Sequence, residues 1–361
     1  MQQRLMNASD PINSTWGNAT GINAAANTTA ADYAFIVVIT FVQIFNILMT
    51  LPSVAFLIIT LTTVLGSAAL RESSRYLLFV NLLACDSCFL VNSNAMATLV
   101  WRRVTIAFVP CYMYITLASV LNHAGAMFVT AMSVERYAAV CHPLRYHGWF
   151  GLRATLRAIA CIWSAASVCP LVEAMLAFSG GSSDEPSLDQ TSLCVPNRID
   201  SLLRHRTALV ALRELANSVT FITSVAAMLF TYTQIVRAAR KSAASGGRGG
   251  GDGGGGGEGD LNSARRARNT VALHGLQLLL YLSALGNEVF LLLLVFVTSN
   301  AKIFTLCRIS LYMVLFVTSR MVIPLVYGLR DQELRRQLKR RLACGASGKV
   351  RQSLMHGPAM S

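Results

Sequence analysis

The chain has 361 residues, 54% of them hydrophobic and only 13% charged, against about 25% charged in ordinary soluble domains. A mean hydropathy of +0.50 over the whole length excludes a soluble protein with a single anchor. The net charge of +14 does not point to nucleic acid, because the basic residues lie between long apolar runs rather than in one patch.

Residues 1–33 form a polar, Asn/Thr-rich tail with four glycosylation triplets, at Asn7, Asn13, Asn18 and Asn27. The tail lacks a basic, apolar, cleavable pattern, so the first apolar run is expected to serve as the signal anchor. A bilayer core about 30 Å thick needs roughly 20 apolar residues in a helix. Such runs fall at about 35–65, 75–99, 108–137, 152–176, 208–236, 270–298 and 303–328. Pro52 is a candidate kink in the first. Between the fifth and sixth runs, Ser245 to Asp260 reads SGGRGGGDGGGGGEGD, which cannot bury a core and is expected to be a flexible loop. In the tail at 329–361, Leu334, Leu338 and Leu342 fall on one helical face and Arg/Lys on the other. That pattern predicts an in-plane amphipathic helix on an anionic leaflet, with Cys344 beyond it as a palmitoylation candidate. The predicted fold is an all-α membrane protein, a seven-helix bundle over 34–328 followed by this short helix.

Orientation follows from charge. With the N-terminus outside, 21 of the 31 Lys and Arg residues fall in inner segments, as the positive-inside rule requires. The four glycosylation triplets then lie on the lumenal side, where that modification occurs. The expectation is a multi-pass protein of the plasma membrane with an extracellular N-terminus and a cytoplasmic C-terminus.

No catalytic or nucleotide motif is present: GxSxG, HExxH and a Walker loop are all missing. Nine scattered cysteines give no zinc spacing, and Cys85 and Cys88 read as helix packing. No cofactor and no metal centre are predicted. A transporter or channel is a distant alternative, since no repeated halves are visible.

The third run ends on Met132-Ser-Val-Glu-Arg-Tyr-Ala-Ala-Val-Cys-His-Pro-Leu-Arg-Tyr146, which sets Glu135 beside Arg136. Cys111 lies 25 residues before Arg136, about 37 Å along a helix, or one membrane thickness. Cys111 is therefore predicted at the outer rim and the charge pair at the inner rim. Arg136 by itself could equally snorkel to headgroups.

Seven spans, an outer N-terminus, a Cys atop span three and Glu-Arg-Tyr at its base resemble the rhodopsin-like G-protein-coupled receptors. Within them, Met132–Tyr146 is very similar to the odorant-receptor signature MAxERYxAICxPLRY. Arg75-Tyr-Leu-Leu-Phe-Val-Asn-Leu-Leu-Ala-Cys-Asp86 resembles the second-span motif. Arg266-Ala-Arg-Asn-Thr-Val-Ala-Leu-His274 partly matches KAFSTCxSH through Ala267, Thr270 and His274. Pro324-Leu-Val-Tyr327-Gly-Leu-Arg-Asp-Gln-Glu-Leu334 resembles the end of NPxxYSLRNKEV. The chain departs from the pattern in three places. The first span has no Gly-Asn pair, Ile323 stands where Asn precedes the proline, and spans five and six have no proline. It reads as a divergent branch.

The resemblance implies a receptor for a small, odorant-like organic ligand that couples to a heterotrimeric G protein, expected to be the stimulatory, cAMP-raising type. A non-olfactory receptor for another small ligand is the alternative. The resemblance assigns G-protein contact to Arg136, with Glu135 as its resting partner and Tyr137 beside it. It assigns internal switch roles to Asp86, Pro324, Tyr327 and His274, and a disulfide to Cys111 and Cys194. Relatives often place an acidic residue at the base of span six. Here that region reads Ala264-Arg-Arg-Ala-Arg268, which predicts a weakly held resting state with measurable basal signalling. Relatives also place sodium beside the span-two Asp, helped by the Asn of span seven. With Ile323 there instead, an Asp86–Arg320 ion pair is expected to replace the ion. Ala118 stands where amine receptors carry Asp, and Val317 where opsins carry the retinal Lys, which disfavours both ligand classes. Ser119, Asn122, His123, Asn287 and Glu288 are the candidate polar anchors in a mainly apolar cavity.

Overall fold

The computed structural model describes residues 30–102, 104–178, 191–194 and 206–246, and further on 307, 317–322, 328 and 333–337. Described in chain order are α1 (Ala30–Leu65), α2 (Ala68–Arg71), α3 (Ser74–Trp101), β1 (Thr105–Ala107), α4 (Phe108–Cys141), α5 (Pro143–Trp149), α6 (Leu152–Phe178), β2 (Thr191–Leu193) and α7 (Arg206–Gly246). Among the described residues, five helices are long and apolar enough to cross a bilayer: Thr40–Leu65 within α1, then α3, α4, α6, and Arg206–Ala238 within α7. They coincide with the first five runs expected from the sequence. The sixth run and most of the seventh lie outside the described residues.

Lipid and bundle faces are told apart by polarity. Along α1, Val37, Phe41, Ile44, Leu48, Leu51 and Ile58 are exposed, whereas Gln43, Asn46, Thr50, Ser53 and Thr60 are buried. Hydrocarbon offers no gain from hiding leucine, so apolar side chains can face lipid while polar ones turn inward to find partners. They do find them. Gln43 Nε2 donates to Asn94 Oδ1 at 2.8 Å and to Thr98 Oγ1 at 2.7 Å, and the hydroxyls of Ser53 and Ser87 lie 3.0 Å apart. Thr50 and Thr63 return their hydroxyls to carbonyls four residues back, the usual way a lone hydroxyl is satisfied inside a helix.

Helix α4 is the central post, packed against α3, α6 and α7. Small residues there, Ala124, Gly125 and Ala126, are buried and let neighbouring backbones approach closely. The main apolar cluster joins Val64, Phe79, Leu82, Leu83, Phe128, Met132, Ala166 and Met228. Trp163 docks on it edge-on to Phe128 and donates its indole N–H to Asn81 Oδ1 at 3.2 Å. Leu334 of the 333–337 helical stretch is fully buried in the same cluster. Leu338, Leu342 and Cys344 lie outside the described residues.

Candidate functional site

Three polar groupings stand along α4, in order from one end of the bundle to the other. At its first turns, Cys111 is disulfide-bonded to Cys194. The bond follows directly on the antiparallel β1–β2 ribbon, in which Ile106 pairs with Ser192, so the segment bearing Cys194 is held over that end twice. Phe108 and Tyr112 stack there and both meet Phe178 edge-on. Tyr112 donates its hydroxyl to the Glu173 carbonyl at 3.3 Å.

Beside this cap is a pair that sequence reading missed. Arg213 Nε of α7 donates to Glu173 Oε2 of α6 at 3.0 Å, with both side chains largely buried. The signal was available, since an ionisable residue inside a span is costly and marks a partner. Two turns along α7 from Leu209, which packs under the disulfide, Asn217 meets His123 of α4, Oδ1 to Nε2, at 3.1 Å. His123 is buried and Ser119 half-buried on that length of α4. Asn287 and Glu288 lie outside the described residues.

The second grouping is deeper. Arg320 Nη1 lies 2.8 Å from Asp86 Oδ1, and both side chains are almost wholly buried. Its Nη2 donates to Asn122 Oδ1 at 2.5 Å, and its guanidinium carbon sits 4.2 Å from the Phe89 ring centroid. Asn122, expected at a ligand, thus has its amide oxygen on the arginine. The sequence could not show this, because a neutral amide, unlike a buried charge, does not demand one particular partner. Val317, one turn before Arg320, is fully buried against Leu90.

At the far end of α4, Glu135 is buried and Arg136 is partly accessible, with Nε 3.8 Å from Glu135 Oε2. That is an ion-pair distance rather than a hydrogen bond. The short bond to Glu135 comes from elsewhere. Tyr146 of α5 donates its hydroxyl to Glu135 Oε1 at 2.6 Å, and Ser74 Oγ of α3 lies 3.0 Å from the same hydroxyl. Burial, then the Glu135 bond, pushes the Tyr146 phenol up to about 12, so it stays a neutral donor at physiological pH. Pro143 at the start of α5 is well placed for a first helical turn, and α5 brings Tyr146 back under α4. Tyr137 Oη lies 3.1 Å from His142 Nε2, and its ring meets Phe230 of α7 edge-on. Leu144 of α5 is 99% exposed. His274, Pro324, Tyr327 and the basic stretch 264–268 lie outside the described residues, as do Asn7, Asn13, Asn18 and Asn27.

The described helices thus form a membrane bundle with a buried ion pair at its core and a charged pair at one end, and the comparisons say which class of protein this is. Residues 55–327 match the family of 7 transmembrane receptors (rhodopsin family), and the chain belongs to that family of multi-pass, G-protein-coupled receptors, which are not enzymes. It is 26% identical to Odorant receptor 131-2 of Danio rerio over 274 residues, 76% of this chain and 78% of the relative. It is 22% identical to human Olfactory receptor 11H4 over 299 residues, 79% and 84% of the two chains. Human Olfactory receptor 2AG1 is 29% identical over 164 residues, 45% of this chain and 52% of the relative.

Proposed function

We propose that the chain is an odorant-type receptor of the plasma membrane. It binds a small organic ligand within the bundle and activates a stimulatory heterotrimeric G protein through Glu135, Arg136 and Tyr137. The observation that carries this reading is the state of Arg136. Its carboxylate neighbour is buried and already takes a short bond from Tyr146, while the guanidinium lies at 3.8 Å and keeps 27% of its side-chain surface. A partly accessible guanidinium at a helix end can meet a partner's backbone carbonyls or C-terminal carboxylate. Leu144, wholly exposed one short helix away, supplies an apolar contact beside it. The basic residues of 264–268 add like charge rather than a second restraint, so the resting state is weakly held and the receptor signals without ligand.

In this reading the glycosylated tail 1–33 is extracellular, the Gly-rich loop 245–260 and the tail 329–361 are cytoplasmic, and seven helices span 34–328. A short amphipathic helix follows, anchored by palmitoyl-Cys344. Ser119 and His123 contact ligand from α4, with Asn217 orienting His123, and Asn287 and Glu288 contribute from the sixth span. The test is a cAMP assay in cells expressing wild type and Arg136→Ala at matched surface levels, first without ligand and then with an odorant panel. A basal or evoked rise that the mutant loses supports the reading. A surface-expressed wild type that stays silent throughout removes the odorant assignment.

A further inference from the structure

A carboxylate as buried as that of Asp86 requires a positive partner, because an isolated charge away from water is prohibitively costly. The partner can be a proton, a metal ion or a side chain. Sodium, the ion that relatives place at this aspartate, would need oxygen donors converging on one point, as hard cations do. The residues present do not fit it. Among the described residues, Asp86 Oδ1 and Asn122 Oδ1 are two oxygens such an ion would draw on, and both accept from the Arg320 guanidinium, at 2.8 and 2.5 Å. The Ser87 hydroxyl, next along α3, is turned to α1, 3.0 Å from Ser53 Oγ and 3.3 Å from the Ser53 carbonyl. The Phe89 ring covers a face of the guanidinium. Among the described residues, Cys85 and Leu90 nearby are buried and carry no side-chain oxygen. One negative and one positive charge already balance, and a second cation would sit against the first.

Three separate segments meet at this point: α3 through Asp86, α4 through Asn122, and the 317–322 stretch through Arg320. We propose that Arg320 is the resident cation of the site. Its guanidinium stands in the place of a sodium ion, so the receptor's stability and signalling are indifferent to sodium. Planarity explains the residue type. A guanidinium can offer one nitrogen to Asp86, another to Asn122 and its flat face to an aromatic ring at once, which an ammonium cannot. The site is therefore a latent cation site, closed by the chain itself and opened when the arginine is removed. This inference depends on neither the ligand nor the G protein.

The experiment is a thermal-unfolding comparison of purified receptor in sodium chloride and in N-methylglucamine chloride. Wild type should unfold at the same temperature in both. Arg320→Gln should unfold several degrees lower without sodium, and its midpoint should climb as sodium is added, because Asp86 then recruits the ion. Asp86→Asn/Arg320→Gln, which removes both charges, should recover much of the loss and show no sodium response. Arg320→Lys should restore sodium indifference. A role confined to packing would lower the midpoint of Arg320→Gln without creating the sodium response. A wild-type midpoint that rises with sodium overturns the proposal, and this arm needs no variant to fold. An Arg320→Gln protein that folds but shows no sodium response overturns it equally.

Discussion

Tyr146 donates a 2.6 Å hydrogen bond to Glu135 from a different helix, a shorter contact than the one Glu135 makes with its own sequence neighbour Arg136. The carboxylate at the base of α4 is thus shared, and the arginine receives the weaker portion. Tyr146→Phe leaves a buried carboxylate oxygen without its donor, at a cost of about 1–3 kcal/mol. The melting temperature of the purified receptor should fall by several degrees, and Ser74→Ala, whose hydroxyl lies 3.0 Å from that of the tyrosine, should cost less. If Ser74→Ala proves the more damaging, the order of support is wrong.

The same phenol sets a pH expectation. Its folded pKa is raised to about 12, so its contribution to stability is complete below the ordinary tyrosine range near ~10. It is lost only as pH rises through the folded value. Melting temperatures of wild type and Tyr146→Phe measured between neutral pH and mild alkali should therefore keep a constant difference. A gap that closes around neutrality would mean that another group carries the bond.

Glu173 and Arg213 invite a double-mutant cycle. Breaking a buried pair from one side costs about 3–5 kcal/mol, because the surviving charge is stranded. Glu173→Gln and Arg213→Gln should each lower the unfolding midpoint markedly. The double substitution should cost clearly less than the two losses combined, since it strands nothing. Additive losses would show that the 3.0 Å contact carries no coupling.

Loss of the Cys111–Cys194 bond should be felt at the membrane surface. It closes a loop of 83 residues, and removing such a link costs about 2–5 kcal/mol. Cys111→Ser and Cys194→Ser should reduce surface expression to the same degree, and the double variant should be no worse than either. Unequal single losses would indicate that one cysteine has a second role.

Leu144 separates coupling from stability. Its side chain is 99% exposed, so Leu144→Asp should leave the melting temperature unchanged. G-protein activation in a nucleotide-exchange assay should drop at least tenfold, as for a central apolar contact of about 1.4 kcal/mol or more. Unaltered exchange would remove Leu144 from the proposed partner surface.

Much of this receptor could be read from the order of its residues. Helix length is fixed by bilayer thickness, so the first five spans follow from counting apolar residues. Glu135, Arg136 and Tyr137 were legible because their chemistry is local, three consecutive residues at one helix end. Asp86 and Arg320 could be paired in expectation because each is an ionisable residue that a membrane interior does not tolerate alone. What sequence order could not supply was the third partner. Asn122 was expected at a ligand, and its bond from Arg320 was not foreseen; Tyr146 was read as part of a motif without its bond to Glu135. Glu173 and Arg213 were not matched at all. These are contacts between helices, and they depend on how each helix is rotated about its own axis. In lipid that rotation is not dictated by burying apolar side chains, since both faces of α1 or α6 can be apolar at no cost. It is settled only when the polar atoms of neighbouring helices find one another.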